Sequence, residues 1–335
     1  MRHGNIQAGC VLTILITLLP LQGNSLDQAI QKGEDLTGRN IRIKISKSFP
    51  EVPAFTNGAF QVGNGDCFQY MLYVEYLQNL GARVLIDLPD KLKPYFAKTT
   101  SLMLSDAVDT ANYEEIQLAD LFHLLLNRVP NFDRAAPFFT CPEEIVLKWD
   151  KEIKKRTGGT LIPIVFFMQG APHHLERFPV KEEWEQLTKD MPQVVFFNAQ
   201  LNGVAINNSV RMCDIDLSSD NVAYLDTFGL IFATVVLNNG FVISPDTGSL
   251  HLCASGVEGN AAASNRVFGV LAKHPDQRWR LSNFMKNIEA KIGVNINKCV
   301  WYPKSVLLFQ QTEDGNFLPV IEAMKEYINS MSAAA

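Results

Sequence analysis

Twice along this chain, short β-branched runs alternate with segments of helical spacing, and this alternation restricts the fold more than any other feature. Ile41 to Ile45 (IRIKI) alternates as a half-buried strand, and Ala82 to Leu88 (ARVLIDL) reads as a second strand. Between them the run CFQYMLYVEYLQNLG reads as a helix closed by Gly81 as its C-cap, which makes a β-α-β unit. The pattern restarts after Gly158-Gly159. Strands are expected at 161–167 (LIPIVFF), 193–197 (QVVFF), 241–244 and 266–271, with helices over 180–190 and 222–235. Two such blocks in series imply two doubly wound α/β sheets, with the boundary in the Pro142–Gly159 helix.

The chain has 335 residues, enough for two such domains with sizeable cores. An apolar fraction of 47% with 19% charged residues excludes disordered and fibrous classes. A net charge of -5 without a basic stripe argues against nucleic acid or an anionic membrane as partner. The one basic cluster, Lys151 to Arg156, is mixed with acid and reads as a solvated helix face. Residues 1–25 hold Arg2 and His3 before a 12-residue apolar run, too short to span a bilayer but of the length of a signal-peptide core. They are expected to lie outside the folded core, with a secretory or extracytoplasmic location if they are a cleaved signal and a cytoplasmic one otherwise. The six cysteines (10, 67, 141, 213, 253, 299) show no metal-ligand spacing, and Cys67 and Cys253 read as small core residues.

In open α/β sheets ligands bind beyond the carboxyl ends of the strands. SPDTGSLHL, residues 244–252, occupies such a position after the strand ending near Ser244. Thr247, Gly248 and Ser249 can offer amides and hydroxyls to an anion at a helix N-terminus, and Gly248 leaves no Cβ in the way. Asp246 fits a turn-fixing or capping role, and His251 falls one turn on. From these residues alone the stretch is either an anion site or an N-cap followed by a buried histidine. The second unusual stretch, QVGNGDCFQYMLY, places Gly63-Asn64-Gly65 as a turn and Asp66 at the head of a helix. Asp66 there is either a general base or a cap.

These stretches, in order, resemble the ADP-heptose:lipopolysaccharide heptosyltransferase family of glycosyltransferases (glycosyltransferase family 9). They resemble still more closely the related domain found behind tetratricopeptide repeats in bacterial proteins. The resemblance is carried by Gly33 to Arg39 (GEDLTGR), Gly63 to Tyr70 (GNGDCFQY), Gln169 to His174 (QGAPHH) with Arg177, and Tyr224 to Thr227 (YLDT). It continues through Val242 to Gly248 with His251, Arg278-Trp279-Arg280, Trp301-Tyr302-Pro303 and Phe309-Gln310. It implies a GT-B fold, two Rossmann-like doubly wound domains facing across a cleft. On that reading residues 33–150 form the acceptor domain and 159–315 the donor domain. Residues 316–332 then form a C-terminal helix crossing back to the first domain.

The resemblance further implies an inverting transfer of a heptose-like sugar from a nucleoside-diphosphate donor to a glycan or protein acceptor, by a monomer without metal or cofactor. Asp66 would be the base, with Gly63 and Gly65 on the acceptor side. Asp246, Thr247, Gly248, Ser249 and His251 would hold the donor, with Arg177 and Gly170 from the loop after the second domain's first strand. No Asp-x-Asp pair adjoins the donor motif. Two stretches depart from the family pattern: an insertion, Lys47 to Phe60, and Cys253 to Asn265, which reads as a longer, flexible loop. A silent module that binds a sugar nucleotide or a protein partner is the alternative function; a nucleotide-sugar epimerase and a nicotinamide oxidoreductase come after it.

Overall fold

The computed structural model describes residues 25–45, 64–88, 90, 92–99, 103–104, 109–125, 139–168, 177–199, 205–211, 223–275, 279, 288–313 and 315–333. Two sheets organise them. The first contains β1 (Asn40–Lys44), β2 (Arg83–Asp87), β3 (Met103–Leu104) and β4 (Glu114–Gln117), all parallel, in the order β3-β2-β1-β4. Its helices are α1 (Ser25–Lys32), α2 (Asn64–Asn79), α3 (Lys93–Thr99) and α4 (Leu118–Leu125). Alternation decides the two faces of this sheet. Ile41, Ile43, Val84, Ile86 and Ile116 join α1, α2 and α4 in one apolar cluster. The intervening Arg42, Lys44, Asp87 and Glu115 pair with one another on the opposite face, Arg42 to Asp87 at 2.6 Å and Lys44 to Glu115 at 2.6 Å.

Gly81 ends α2 as its position in the sequence suggests. Its φ is +93° and an added Cβ would lie 2.4 Å from Thr37 Oγ1, so glycine is required there on two counts. Ala82 N–H bonds to Leu77 O and Gly81 N–H to Gln78 O, the paired bonds of a Schellman cap.

The second sheet has eight strands: β5 (Ile162–Phe166), β6 (Val194–Asn198), β7 (Ser209–Arg211), β8 (Phe241–Pro245), β9 (Val267–Leu271), β10 (Glu289–Lys291), β11 (Val294–Lys298) and β12 (Val306–Gln311). Six are parallel in the order β7-β6-β5-β8-β9-β12, and β11 and β10 extend the β12 edge antiparallel. Both faces are covered. On one, α5 (Glu143–Thr157), α7 (Ala223–Phe232), a π-helical turn (Ala233–Leu237) and α8 (Gly248–Val257) bury Val165, Val242, Val267 and Leu308. On the other, α6 (Lys181–Thr188) and the terminal helix α9 (Leu318–Ala333) bury Phe166, Phe196, Phe268 and Phe309. Burial on both faces is why β8 and β9 read as continuous apolar runs.

Three boundaries differ from expectation. The terminal helix does not cross back to the first unit. Its Val320, Ile321, Met324 and Ile328 fill the outer core of the second sheet, Phe317 N–H donates to Glu183 at 2.7 Å, and Gln193 Nε2 donates to Asn329 at 2.6 Å. The apolar stripe needed a surface, and α6 with the sheet supplies one beside it. Helix α5 belongs with the second unit as well. Lys148 Nζ and Trp149 Nε1 both reach the buried Asp226 on α7, at 2.8 and 3.2 Å. Helix α1, unmarked in the sequence reading, buries Leu26, Ala29 and Ile30 in the first core, so that unit includes residues before position 33. Residues 1–24 lie outside the described residues.

The two units touch directly. Helix α2 packs on α8, and one apolar cluster runs from Leu26 to Leu308 across both. Tyr95 of α3 meets Phe228 of α7 with ring centroids 5.7 Å apart.

Candidate functional site

The parallel order of the second sheet reverses between β5 and β8, since the chain runs outward to β6 and β7 on one side and to β9 and β12 on the other. A crevice opens at such a reversal beyond the carboxyl ends of the two strands. The residues delivered there are those following β5 and β8. After β8 come Asp246 and Thr247, then Gly248 as the first residue of α8. After β5, residues 169–176 lie outside the described residues, Gly170 among them, and the chain is next described at Arg177.

Thr247 is the N-cap of α8, and its Oγ1 accepts from Ser249 N–H at 3.2 Å. Leu250 N–H donates to Thr247 O at 3.0 Å. The Thr247 oxygen is thus engaged as a cap acceptor, and its O–H can still donate. The turn also offers an anion the positive end of the α8 dipole at Gly248.

Asp246 is nearly buried, with its amide on Val270 O at 3.2 Å. Trp279 Nε1–H donates to Asp246 Oδ1, and Arg177 Nη1 stands 4.0 Å from Asp246 Oδ2. A buried carboxylate is tolerated only with hydrogen bonds and an opposite charge, and both are present. Arg177 keeps 27% of its side chain exposed, with Asp246 4.0 Å away as its counter-charge.

His251, expected among the donor-holding residues, is 2% exposed. Its ring stacks on Trp279, centroids 4.9 Å apart and planes at 12°, and its Nδ1 lies 3.2 Å from Tyr302 Oη. It touches Asp246 through Trp279 instead of presenting itself to the crevice. The histidine one turn into α8 thus follows from packing: position 251 faces inward, and a polar ring there takes a polar partner.

On the first unit, Asp66 and Gly65 lie in the first turn of α2, which starts at Asn64, two residues earlier than the sequence suggests. The side chain of Asp66 and the whole of Gly63 lie outside the described residues. So does the insertion at 47–60.

Three further expectations meet the structure. The stretch Cys253 to Asn265 is ordered: α8 runs to Val257, and Asn260 Oδ1 caps a 3-10 turn at Ala261–Ala263 through Ala262 N–H. Glu258, buried, accepts from Lys304 N–H and Ser305 N–H at 3.0 Å each and from Ser305 Oγ. Cys67 and Cys253 are buried core residues outside any disulfide; burial pushes the Cys253 thiol well up, and burial with the charges of Glu144 and Asp226 pushes the half-buried Cys141 up to about 12. Both shifts disfavour the thiolate, the reactive form of cysteine. The sequence also holds an Asp-x-Asp triplet, Asp214-Ile215-Asp216, after β7. It lies outside the described residues, so metal independence rests on the resemblance alone.

Trp279 and Tyr302 are the contributors that residue-by-residue reasoning did not assign. Each belongs to a stretch that carries the resemblance, Arg278-Trp279-Arg280 and Trp301-Tyr302-Pro303, but nothing in their spacing links them to Asp246.

No family model matches the chain, and no curated protein does. Among solved structures it is similar to a glycosyl transferase family 9 protein from Veillonella parvula DSM 2008, at 10% identity and a TM-score of 0.49, over 87% of this chain and 90% of that one.

Proposed function

We propose that the chain is an inverting, metal-independent glycosyltransferase that takes a heptose-like sugar from a nucleoside-diphosphate donor to an acceptor hydroxyl. The observation that carries this reading is the meeting of Asp246, Arg177 and the α8 N-terminus at the strand-order reversal of the second sheet. A diphosphate seated at Gly248 would lie on the positive end of a helix with a guanidinium beside it. As the bond to the sugar breaks, negative charge grows on the departing diphosphate, and the same two groups offset it. Asp66 takes the proton of the acceptor hydroxyl as that oxygen attacks the anomeric carbon from the opposite side. Asp246 contributes indirectly, by holding Arg177.

Thermal unfolding in the presence of ADP, GDP and UDP tests the donor side. A nucleotide at a hundredfold excess over its dissociation constant adds about 2.7 kcal/mol. Arg177→Gln should weaken that nucleotide about tenfold to a hundredfold, the range for a charge-assisted bond, and should also lower the ligand-free melting temperature because Asp246 loses its counter-charge, so the shift is read against the variant's own ligand-free value. No stabilisation by any of the three in the parent protein sinks the donor reading. Turnover should also be equal in excess chelator and in Mg²⁺ or Mn²⁺; loss on chelation would overturn metal independence and direct attention to Asp214 and Asp216.

A further inference from the structure

The loop between β11 and β12 brings two aromatic residues side by side, and they reach in different directions. Tyr302 is buried, with Oη 3.2 Å from His251 Nδ1; His251 stacks on Trp279, and Trp279 Nε1–H holds Asp246. Trp301, equally buried, meets Tyr73 edge to face, with centroids 6.1 Å apart and planes at 84°. Tyr73 belongs to α2, seven residues after Asp66. One dipeptide therefore contacts the donor-side network with one ring and the acceptor-side helix with the other.

The loop that carries it is fixed at its far end. Glu258, at the end of α8, accepts from Lys304 N–H, Ser305 N–H and Ser305 Oγ, and Val306 N–H returns to Tyr302 O at 3.1 Å. An aromatic ring has few rotamers once its backbone is fastened, so both rings hold their partners with little freedom left to lose.

We propose that Trp301 and Tyr302 are positioning residues that hold the Asp246 network and helix α2 in one fixed relation, so that occupancy of the donor crevice is felt along the helix that carries Asp66. The proposal rests on the glycosyl-transfer reading above. Tyr302 acts through His251 and Trp279 on Asp246, and through Asp246 on Arg177. Trp301 acts through Tyr73 on α2. The two contacts are separable by mutation because they leave the dipeptide in different directions.

The test combines nucleotide affinity with amide hydrogen exchange on the full chain, using whichever of ADP, GDP and UDP stabilises the parent. Tyr302→Phe keeps the ring and removes the hydroxyl. It should raise the dissociation constant about threefold to tenfold, the worth of one hydrogen bond. Trp301→Leu should leave that constant within about twofold, yet speed exchange in peptides covering α2 and abolish the slowing there that nucleotide produces in the parent. A purely structural tryptophan would change exchange with and without nucleotide alike. Should Trp301→Leu fail to fold, Tyr73→Leu removes the other ring of the same pair and should act in the same way. Parent-like affinity in Tyr302→Phe, or parent-like α2 exchange in both Trp301→Leu and Tyr73→Leu, overturns the proposal. If the parent binds none of the three nucleotides, the function reading fails and the coupling, which needs an occupied donor crevice, fails with it; nucleotide binding with parent-like α2 exchange in both tryptophan-pair variants overturns the coupling alone.

Discussion

Asp66→Asn is expected to lower turnover about 100- to 10,000-fold, the range for losing a general base, while nucleotide affinity stays within about twofold. Asparagine keeps the size of the side chain and its ability to accept a hydrogen bond at a helix start, so α2 should form as before. It lacks the carboxylate lone pair that takes a proton. The neighbouring acid on the same helix cannot substitute. Glu75 is nine residues further on, which at helical rise is about 13 Å along the axis. Because the diphosphate is assigned to the other unit, the loss should fall on kcat and spare donor binding. Steady-state kinetics with the donor whose nucleotide stabilises the protein, beside the melting temperature of each variant, checks this. Parent-like transfer by the Asn variant would leave Asp66 as a cap and strengthen the reading of the chain as a silent binding module.

Gly256→Ala is expected to cost about 3 kcal/mol, the upper end for overpacking, and to lower Tm by about 5 to 10 °C. Gly256 lies near the end of α8 where that helix crosses α7. An added Cβ would stand 1.7 Å from Phe228 Cε2 and 2.5 Å from its Cζ. The ring has nowhere to go, because Tyr95 of the first unit and Phe232 of α7 both hold it edge-on, at 5.7 and 6.4 Å. Alanine is otherwise the better helix former by about 1 kcal/mol, so a large net loss isolates the clash. Adding Phe228→Leu, which removes the ring edge, should recover part of the stability. Differential scanning fluorimetry on the parent and the two variants decides it; a Gly256→Ala protein that melts with the parent would mean that the Phe228 ring yields to the added methyl.

What could be read in advance divides along physical lines. The strands of the second sheet at 162–166, 194–198, 241–245 and 267–271 were legible because a strand buried on both faces is apolar throughout. Strand β4, Glu114-Glu115-Ile116-Gln117, was not. Three of its four residues are polar, and what makes it a strand is parallel pairing to β1 with Glu114 held by Arg39 and Glu115 by Lys44. Two-residue β3 carries no periodicity at all. In the site, the turn Asp246-Thr247-Gly248 was legible because capping and strand-end chemistry are local. The burial of His251 was one of two open readings, and local spacing could not choose it because the partners Trp279 and Tyr302 come from 28 and 51 positions away. The direction of the terminal helix was also beyond local reading: amphipathic spacing tells that a face is covered, and tertiary packing alone tells by what.

The seam between the two units has a consequence for how the chain comes to be folded. Its apolar cluster counts residues of α1, α2 and α4 together with residues of α7, α8 and the second sheet, and Phe228 is clasped by rings from both sides. Cutting the chain between the units would therefore strip partners from Tyr95, Tyr73, Phe228 and Trp301 at once and present their apolar surface to water. The first unit, with one charged sheet face and four short strands, shares its apolar cluster with the second, and during synthesis about 175 further residues separate the end of α4 at Leu125 from Trp301, where that enclosure closes.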